Sequence, residues 1–594
     1  MGRHRISGFF GACALLAAAS SAWAAEPAAD LVYRNGYVYT VDANDSVQQA
    51  LAVRAGRIVY VGDDKGAAEH TGKRTKVIDL QGRMLMPGLV DGHMHPQSGG
   101  SRLMNCSLDY EKLTVAQFQS RIQACLDKDK KSGPERWMLV VNWFEQGLQL
   151  DGAEPTAALL DQLKTERPII VRSSFGHSVL LNSIALKQAG IQDRKDPEGG
   201  KIMRDASGKA TGLLEDAAQD YAMDKLPPLT VKENLAATRS ALKAMRAQGI
   251  TSFLDAYTDP ETMTAYTTVQ RKGELTARAH FAVLIDLDKS KLPDAMAELL
   301  RQRKQFDQGL TRVAPSMQVR HAKLFMDGVI AAPAFTGAML EPYLVNKGTA
   351  DKPDWQPGPS NGPKDYIAPE ALRATLSALA RAHIDPHIHV DGDRAVRHAL
   401  DAIEWLRARP EGKDVRPALA HDEYVDPADY PRFAQLDVTP ALSFQWAKPA
   451  PDTVEGLKDY FGPQRFALVE PEAVLLNAGA RIAFGSDWPV DPLDEWFALK
   501  VGVTRTAAPD SGYSGPLTDQ PVLPRAEALR AITINAAYTL RAEREVGSLE
   551  VGKLADMIVL DRNFFTIPAE DIANTKVLQT MVGGKIVYDA GALR

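Results

Sequence analysis

The sequence predicts an α/β protein: a (β/α)8 TIM barrel, with a small β-sandwich domain built from both chain ends and an insertion after the first barrel strand. Three observations predict it. Apolar, strand-like runs recur through the middle of the chain with helical stretches between them, eight in all, the count a closed parallel barrel requires. Both ends carry short alternating strands broken by turn residues, too few at either end for a sandwich of their own. Two further strand-like runs lie between the first and second barrel strands and belong to neither unit.

The elements follow in chain order. Residues 1–24 read as an export leader. Arg3, His4 and Arg5 precede an apolar run from Gly8 to Ala19, and Ala22-Trp23-Ala24 is a small-x-small cleavage site. The run is too short to anchor a chain in a bilayer, and no later segment reads as a span. This predicts an exported, periplasmic protein with no stable membrane insertion once the leader is removed. Cys106 and Cys125 then remain; a disulfide and two free thiols are equally open, because spacing does not fix the geometry.

Residues 25–86 form the N-terminal part of the sandwich. "LVYRNGYVYTVD" alternates around Asn35-Gly36 and predicts a hairpin, as does "ALAVRAGRIVYVGD" around Ala55-Gly56. Residues 545–594 form the C-terminal part, with a turn at Gly583-Gly584. Residues 87–544 form the barrel. Its first strand ends at His95, and the others lie at 249–257, 277–285, 318–328, 385–393, 416–423, 438–445 and 480–490. Helices are predicted at 231–248 and 368–383. The insertion runs from about 98 to 245 and holds strands at 137–144 and 169–177.

The net charge of -6, without long runs of one sign, argues against nucleic acid and leaves a small-molecule substrate as the expected partner. Oligomerisation stays open. Chemistry is concentrated at strand ends. His93 and His95, two residues apart, share one face of a strand and can share one cation. Alone, such a pair reads better as ordinary polar residues at a strand end. Lys323 in the fourth strand, His389 and His421 ending the fifth and sixth, and Asp487 ending the eighth change that balance. All stand near C-terminal strand ends, where barrels build active sites, and imidazole with carboxylate suits a divalent metal such as Zn2+. His387 shares a face with His389, and His321 with Lys323; each reads as an outer partner or an alternative ligand. His177 either reaches over the barrel mouth to touch substrate or is structural, and Trp143, Trp446 and Trp488 either line a pocket or sit in the core. Asp327 is read as a substrate contact or as an ion partner of Lys323.

Six stretches, "PGLVDGHMHP" (87–96), "GHSVLLNSIAL" (176–186), "GLLEDAA" (212–218), "KLFMDG" (323–328), "HVDGDRAV" (389–396) and "GSDWPV" (485–490), precede a closing "VGSLEVGKLADMIVLD" (546–561). Together they resemble the amidohydrolase superfamily, and within it the YtcJ-like group, amidohydrolase family 3, which includes N-substituted formamide deformylases. The resemblance spans nearly everything after the leader. It implies metal ligands at His93, His95, His389, His421 and Asp487. It also implies a CO2-derived carbamate on Lys323 bridging two ions, and Asp487 as general acid and base. Two departures stand out: Asp391 lies where the group has a small or apolar residue, and Ala420-His421-Asp422-Glu423 replaces Glu-His-Ala-Gln.

The activity implied is hydrolysis of an amide-type C–N bond in an N-acyl or N-formyl compound, by water activated on one or two divalent ions, with Zn2+ the expected metal. Ester or lactone hydrolysis or deamination on the same site, and a non-catalytic exported binding protein, are the alternatives.

Overall fold

The computed structural model describes residues 27–149, 154–197, 200–287, 291–332 and 334–593, together with Gly2. The rest of the expected leader lies outside the described residues.

Eight parallel strands follow one another in chain order around one sheet: Leu89–Met94, Ile250–Thr258, Arg278–Leu284, Met317–Phe325, Asp385–Val390, Ala418–His421, Thr439–Leu442 and Ala483–Phe484. They are numbered first to eighth here. Each is buried along most of its length, as parallel strands covered by helices are. The helix before the second strand, Val231–Gln248, shows how the sequence sets its ends. Thr230 and Glu233 cap each other's backbone N–H groups, and Gly249 stops the helix in the left-handed conformation.

The eighth strand meets the first beyond their ends. The Asp487 N–H donates to the His93 carbonyl at 2.8 Å, and the His95 N–H donates to the Trp488 carbonyl at 2.7 Å. Buried Asp91 accepts from the His93 N–H at 3.0 Å, the Ser486 N–H at 3.1 Å and the Ser486 hydroxyl at 2.5 Å. This closeness demands glycine: a Cβ on Gly485 would stand 2.4 Å from the His93 Cβ.

The sandwich has a four-stranded sheet, with Leu31–Arg34, Ala50–Arg54, Arg57–Gly62 and Lys76–Asp79. Facing it is a six-stranded sheet in which Tyr37–Tyr39, Val47–Gln48 and Met84–Pro87 join Met557–Leu560, Val577–Val582 and Lys585–Asp589. Tyr33, Val38, Leu51, Leu85, Met557 and Met581 fill the space between them. Met84–Pro87 pairs directly with Met557–Leu560, so both chain ends share one sheet. Ala55-Gly56 and Gly583-Gly584 turn as hairpins, with positive φ at all four residues. The expectation at Asn35-Gly36 is wrong. Leu31–Arg34 and Tyr37–Tyr39 belong to different sheets, and the chain crosses the sandwich at this turn. Tyr33 and Val38 enter the same core from opposite sides, which a hairpin would prevent.

Between the first and second barrel strands lies a mixed sheet of Cys106–Ser107, Met138–Trp143, Ile169–Ser173, Ser178–Leu181, Gly200–Arg204 and Ala210–Asp216. Cys106 and Cys125 form a disulfide that ties its edge to the helix Val115–Lys128. The buried Arg102 guanidinium fastens this sheet to the barrel mouth, donating to Asn142 Oδ1, the Ser174 carbonyl and the Pro489 carbonyl. Among the described residues, no helix is long and apolar enough to cross a membrane.

Candidate metal centre

The C-terminal ends of the barrel strands open into a cavity of about 190 Å³. His93, His95, Lys323, His389, His421 and Asp487 all line it, although they lie far apart in the chain. Register brings them together: Lys323 pairs with His387 across the fourth and fifth strands, and Val390 pairs with His421 across the fifth and sixth.

Two groups have donor sets that suit a divalent cation. In one, His93 Nε2 and His95 Nε2 lie 3.3 and 3.0 Å from Asp487 Oδ1. In the other, His389, Asp391 and His421 converge, and within each group the ligand atoms lie within 4.8 Å of one another. Buried His93 Nε2, Asp391 Oδ1, His421 Nδ1 and Asp487 Oδ1 have no hydrogen-bond partner. Buried polar atoms without partners are rare, and four converging on one cavity fit a cation that would complete them.

Backbone strain accompanies the convergence. His421, Asp422 and Asp487 have φ values of 85°, 50° and 52°, in the region that non-glycine residues seldom occupy.

Protonation suits ligation as well. Burial, reinforced by Lys323, pushes His93 well below its ordinary value and His389 down to about 3. Burial likewise lowers His421, helped by His389. In all three, burial favours the neutral imidazole, the form that binds metal. Burial alone would raise Asp487, but His95, His421 and Lys323 outweigh it and hold the carboxyl below the usual range. Lys323 is pushed down to about 8 by burial, against the pull of Asp487 and Asp391. Burial and the neighbouring Glu423 push Asp391 well up, and burial takes Glu423 itself to about 8.

The remaining expectations divide. His177 lines the cavity from the insertion, with Nδ1 2.8 Å from Asp216 Oδ1. Trp446 also lines it and stacks on His421 at 5.4 Å. Trp143, Trp488 and Asp327 do not face it. Trp143 fills the core of the insertion beside Phe118. Trp488 packs over Gly99 on the far side of the loop after the eighth strand. Asp327 is wholly buried and accepts backbone N–H bonds from Ala338, Asp391 and Gly392. Its oxygens fix the turn after His389, and it does not line the cavity. His387 backs the site, its Nε2 2.7 Å from His93 Nδ1, which leaves His93 Nε2 for the cavity. His321 binds the Thr539 carbonyl, outside the site.

Sequence reasoning found part of the acid around the ligands, Glu423 among it. Asp391 was visible as a departure, and Glu215 and Asp216 lie within "GLLEDAA". Nothing in the pattern marked Glu145, in the short 3-10 turn Glu145–Gly147, or Asp452 and Glu470, in loops between helices and strands.

Comparison with known proteins agrees with this architecture. Putative amidohydrolase YtcJ of Bacillus subtilis (strain 168) is 26% identical over 573 residues, covering 94% of this chain and 99% of its own. The N-substituted formamide deformylase of Arthrobacter pascens is 26% identical, covering 94% and 98%. The crystal structure of an uncharacterized metal-dependent hydrolase from Pyrococcus horikoshii OT3 shares the fold, with a TM-score of 0.68 at 21% identity over 91% of this chain and 99% of its own. The amidohydrolase family model matches residues 76–588, and this chain belongs to that family.

Proposed function

We propose that the protein is a metal-dependent hydrolase that cleaves an amide-type C–N bond in an N-acyl or N-formyl compound. The observation that carries this reading is the convergence of two His- and Asp-bearing groups, with unpartnered ligand atoms, on one cavity. His93, His95 and Asp487 would hold one ion, and His389 and His421 a second. Imidazole with carboxylate favours Zn2+. When bound, such ions polarise a carbonyl oxygen and lower the pKa of a water ligand.

The chain's own groups supply the rest. Asp487, held ionised, accepts a proton from the attacking water and returns it to the leaving nitrogen. Asp216 fixes the tautomer of His177, whose Nδ1–H it accepts, so the other ring nitrogen is free to contact substrate over the mouth. Lys323, with its ammonium made less favourable by burial, is suited to react as a free amine with CO2 and place a carbamate between the two groups. Phe325, Trp446 and Leu457 give the cavity apolar walls that exclude bulk water.

The test couples metal analysis to a substrate screen. Zn2+-loaded protein should retain one or two ions per chain after desalting and hydrolyse formamides or acetamides faster than matched esters, lactams or aminopurines. Retention of no ion, or turnover indifferent to a chelator, refutes the reading. Faster turnover of esters or aminopurines moves the activity to that bond class.

A further inference from the structure

Beyond the two ligand groups, the cavity wall is acidic. Glu145 and Glu215 line it from the insertion, and Glu423, Asp452 and Glu470 from the barrel loops. Among the described residues that line it, Lys323 is the only lysine or arginine. Acidic lining alone identifies nothing, but Glu470 stands apart from its neighbours.

Glu470 lies between the seventh and eighth strands, at 4% exposure. Its backbone φ is 54°, in the left-handed region. Two arrangements hold it there. The Glu470 N–H donates to the Glu423 carbonyl at 2.8 Å. The buried Arg505 guanidinium donates to the Glu470 carbonyl at 2.7 Å and the Val469 carbonyl at 3.2 Å. Arg505 also donates to Glu472 at 2.7 Å, and so gives its own ion pair to a different carboxylate. No hydrogen bond from the described residues acts on the Glu470 carboxylate; Arg505 draws on it only through its charge, and it lines the cavity. It belongs to neither ligand group. A strained, clamped backbone that presents a buried carboxylate without a hydrogen-bond partner is a device for meeting something from outside.

The nearby charges say what that is. Glu423 is joined to Glu470 by that backbone bond, and Asp452, with the Lys448 charge acting on it, stands where the cavity meets a second groove that Tyr110 and Phe497 also line. An anionic group entering here would meet three acidic side chains, whereas an ammonium, amidinium or guanidinium would favour their ionised form and pair with it.

We propose that Glu470, with Glu423 and Asp452, binds a cationic nitrogen on the substrate, so that the preferred substrates are amides bearing a positively charged amine-type group away from the scissile bond. The inference rests on the hydrolase reading for its substrate, though not for its binding site. Glu470 is a specificity-determining residue in this scheme.

The test uses metal-loaded, full-length protein and N-formylated α,ω-diamines of two to five methylenes, each paired with its methyl-terminated isostere. The wild type should favour the cationic member at least tenfold in kcat/KM at one chain length or more. Glu470→Gln should collapse that ratio toward one, and Glu470→Asp should keep most of it, with melting temperatures and zinc content equal in all three proteins. Equal or better turnover of the neutral isosteres overturns the inference while the hydrolase reading stands. Loss of a zinc ion in Glu470→Gln also overturns it, by making Glu470 a metal ligand. If no amide turns over, the hydrolase reading fails and calorimetry decides: 1,4-diaminobutane binding the wild type and not Glu470→Gln supports the cation site, and equal or absent binding to both refutes it.

Discussion

The two ends of the barrel treat buried charge in opposite ways. At the lower end Arg278 and Asp556, each 1% exposed, form a bidentate ion pair with nitrogen–oxygen distances of 2.6 and 2.9 Å. Arg278 also donates to the Arg312 and Val313 carbonyls, and Asp556 accepts from the Gly583 N–H. This network is saturated, and it ties the third strand to the sandwich. At the upper end His93 Nε2, Asp391 Oδ1 and His421 Nδ1 are buried and left without partners. A saturated network stabilises the chain by itself, whereas an unsaturated one is complete only with a ligand. Barrels place stability at the lower face and chemistry at the upper, and here the distinction can be read in individual hydrogen bonds.

Substitutions at the two ends test the contrast. Asp487→Asn should lower kcat by roughly 10³-fold through the lost proton transfer, while the urea midpoint of the metal-free protein hardly moves; turnover within tenfold of wild type would remove Asp487 from its role. Arg278→Ala should do the reverse, costing about 3–5 kcal/mol in urea unfolding because Asp556 is left buried and unpaired. A cost below about 1 kcal/mol would show that the lower network is not structural.

The insertion supplies two finer tests. Replacing Cys106 and Cys125 by Ser should destabilise the insertion sheet by about 3 kcal/mol, the scale for a loop of this length. Limited proteolysis of residues 106–216 reads this out, and an unchanged digestion rate would refute it. The smallest effect concerns Glu145, which burial pushes up to about 7 from 4.5. Between those values the unfolded chain has released a proton that the folded chain keeps, so stability falls as pH rises through the window and is flat above it. Glu145→Gln lacks this loss and should gain on the wild type as pH rises from 4.5 to 7. Thermal melts at pH 4.5 and 8 measure it, and an identical difference at both would count against the neutral carboxyl.

All eight barrel strands were legible because parallel strands buried on both faces leave apolar runs that survive in one dimension. The histidines were legible because strand ends at the upper face have few other reasons to carry them. The turn at Asn35-Gly36 misled because the same dipeptide can reverse a strand or carry it to the facing sheet, and only the shared core of Tyr33 and Val38 decides. Trp143 and Trp488 stayed open between pocket and core because an aromatic beside a strand end is apolar enough for either side of it. Glu470 was invisible because its position depends on Arg505, thirty-five residues later in the chain, holding an unfavourable backbone angle in place.

The pairing of Met84–Pro87 with Met557–Leu560 has a consequence for synthesis. At about 5–20 residues per second, the ribosome takes on the order of a minute to deliver the partner strand. Until then the early half of the sandwich carries an open edge, ready to recruit any passing strand. A chain released before its last few dozen residues keeps that edge permanently, so incomplete translation yields a sticky product rather than a shorter enzyme.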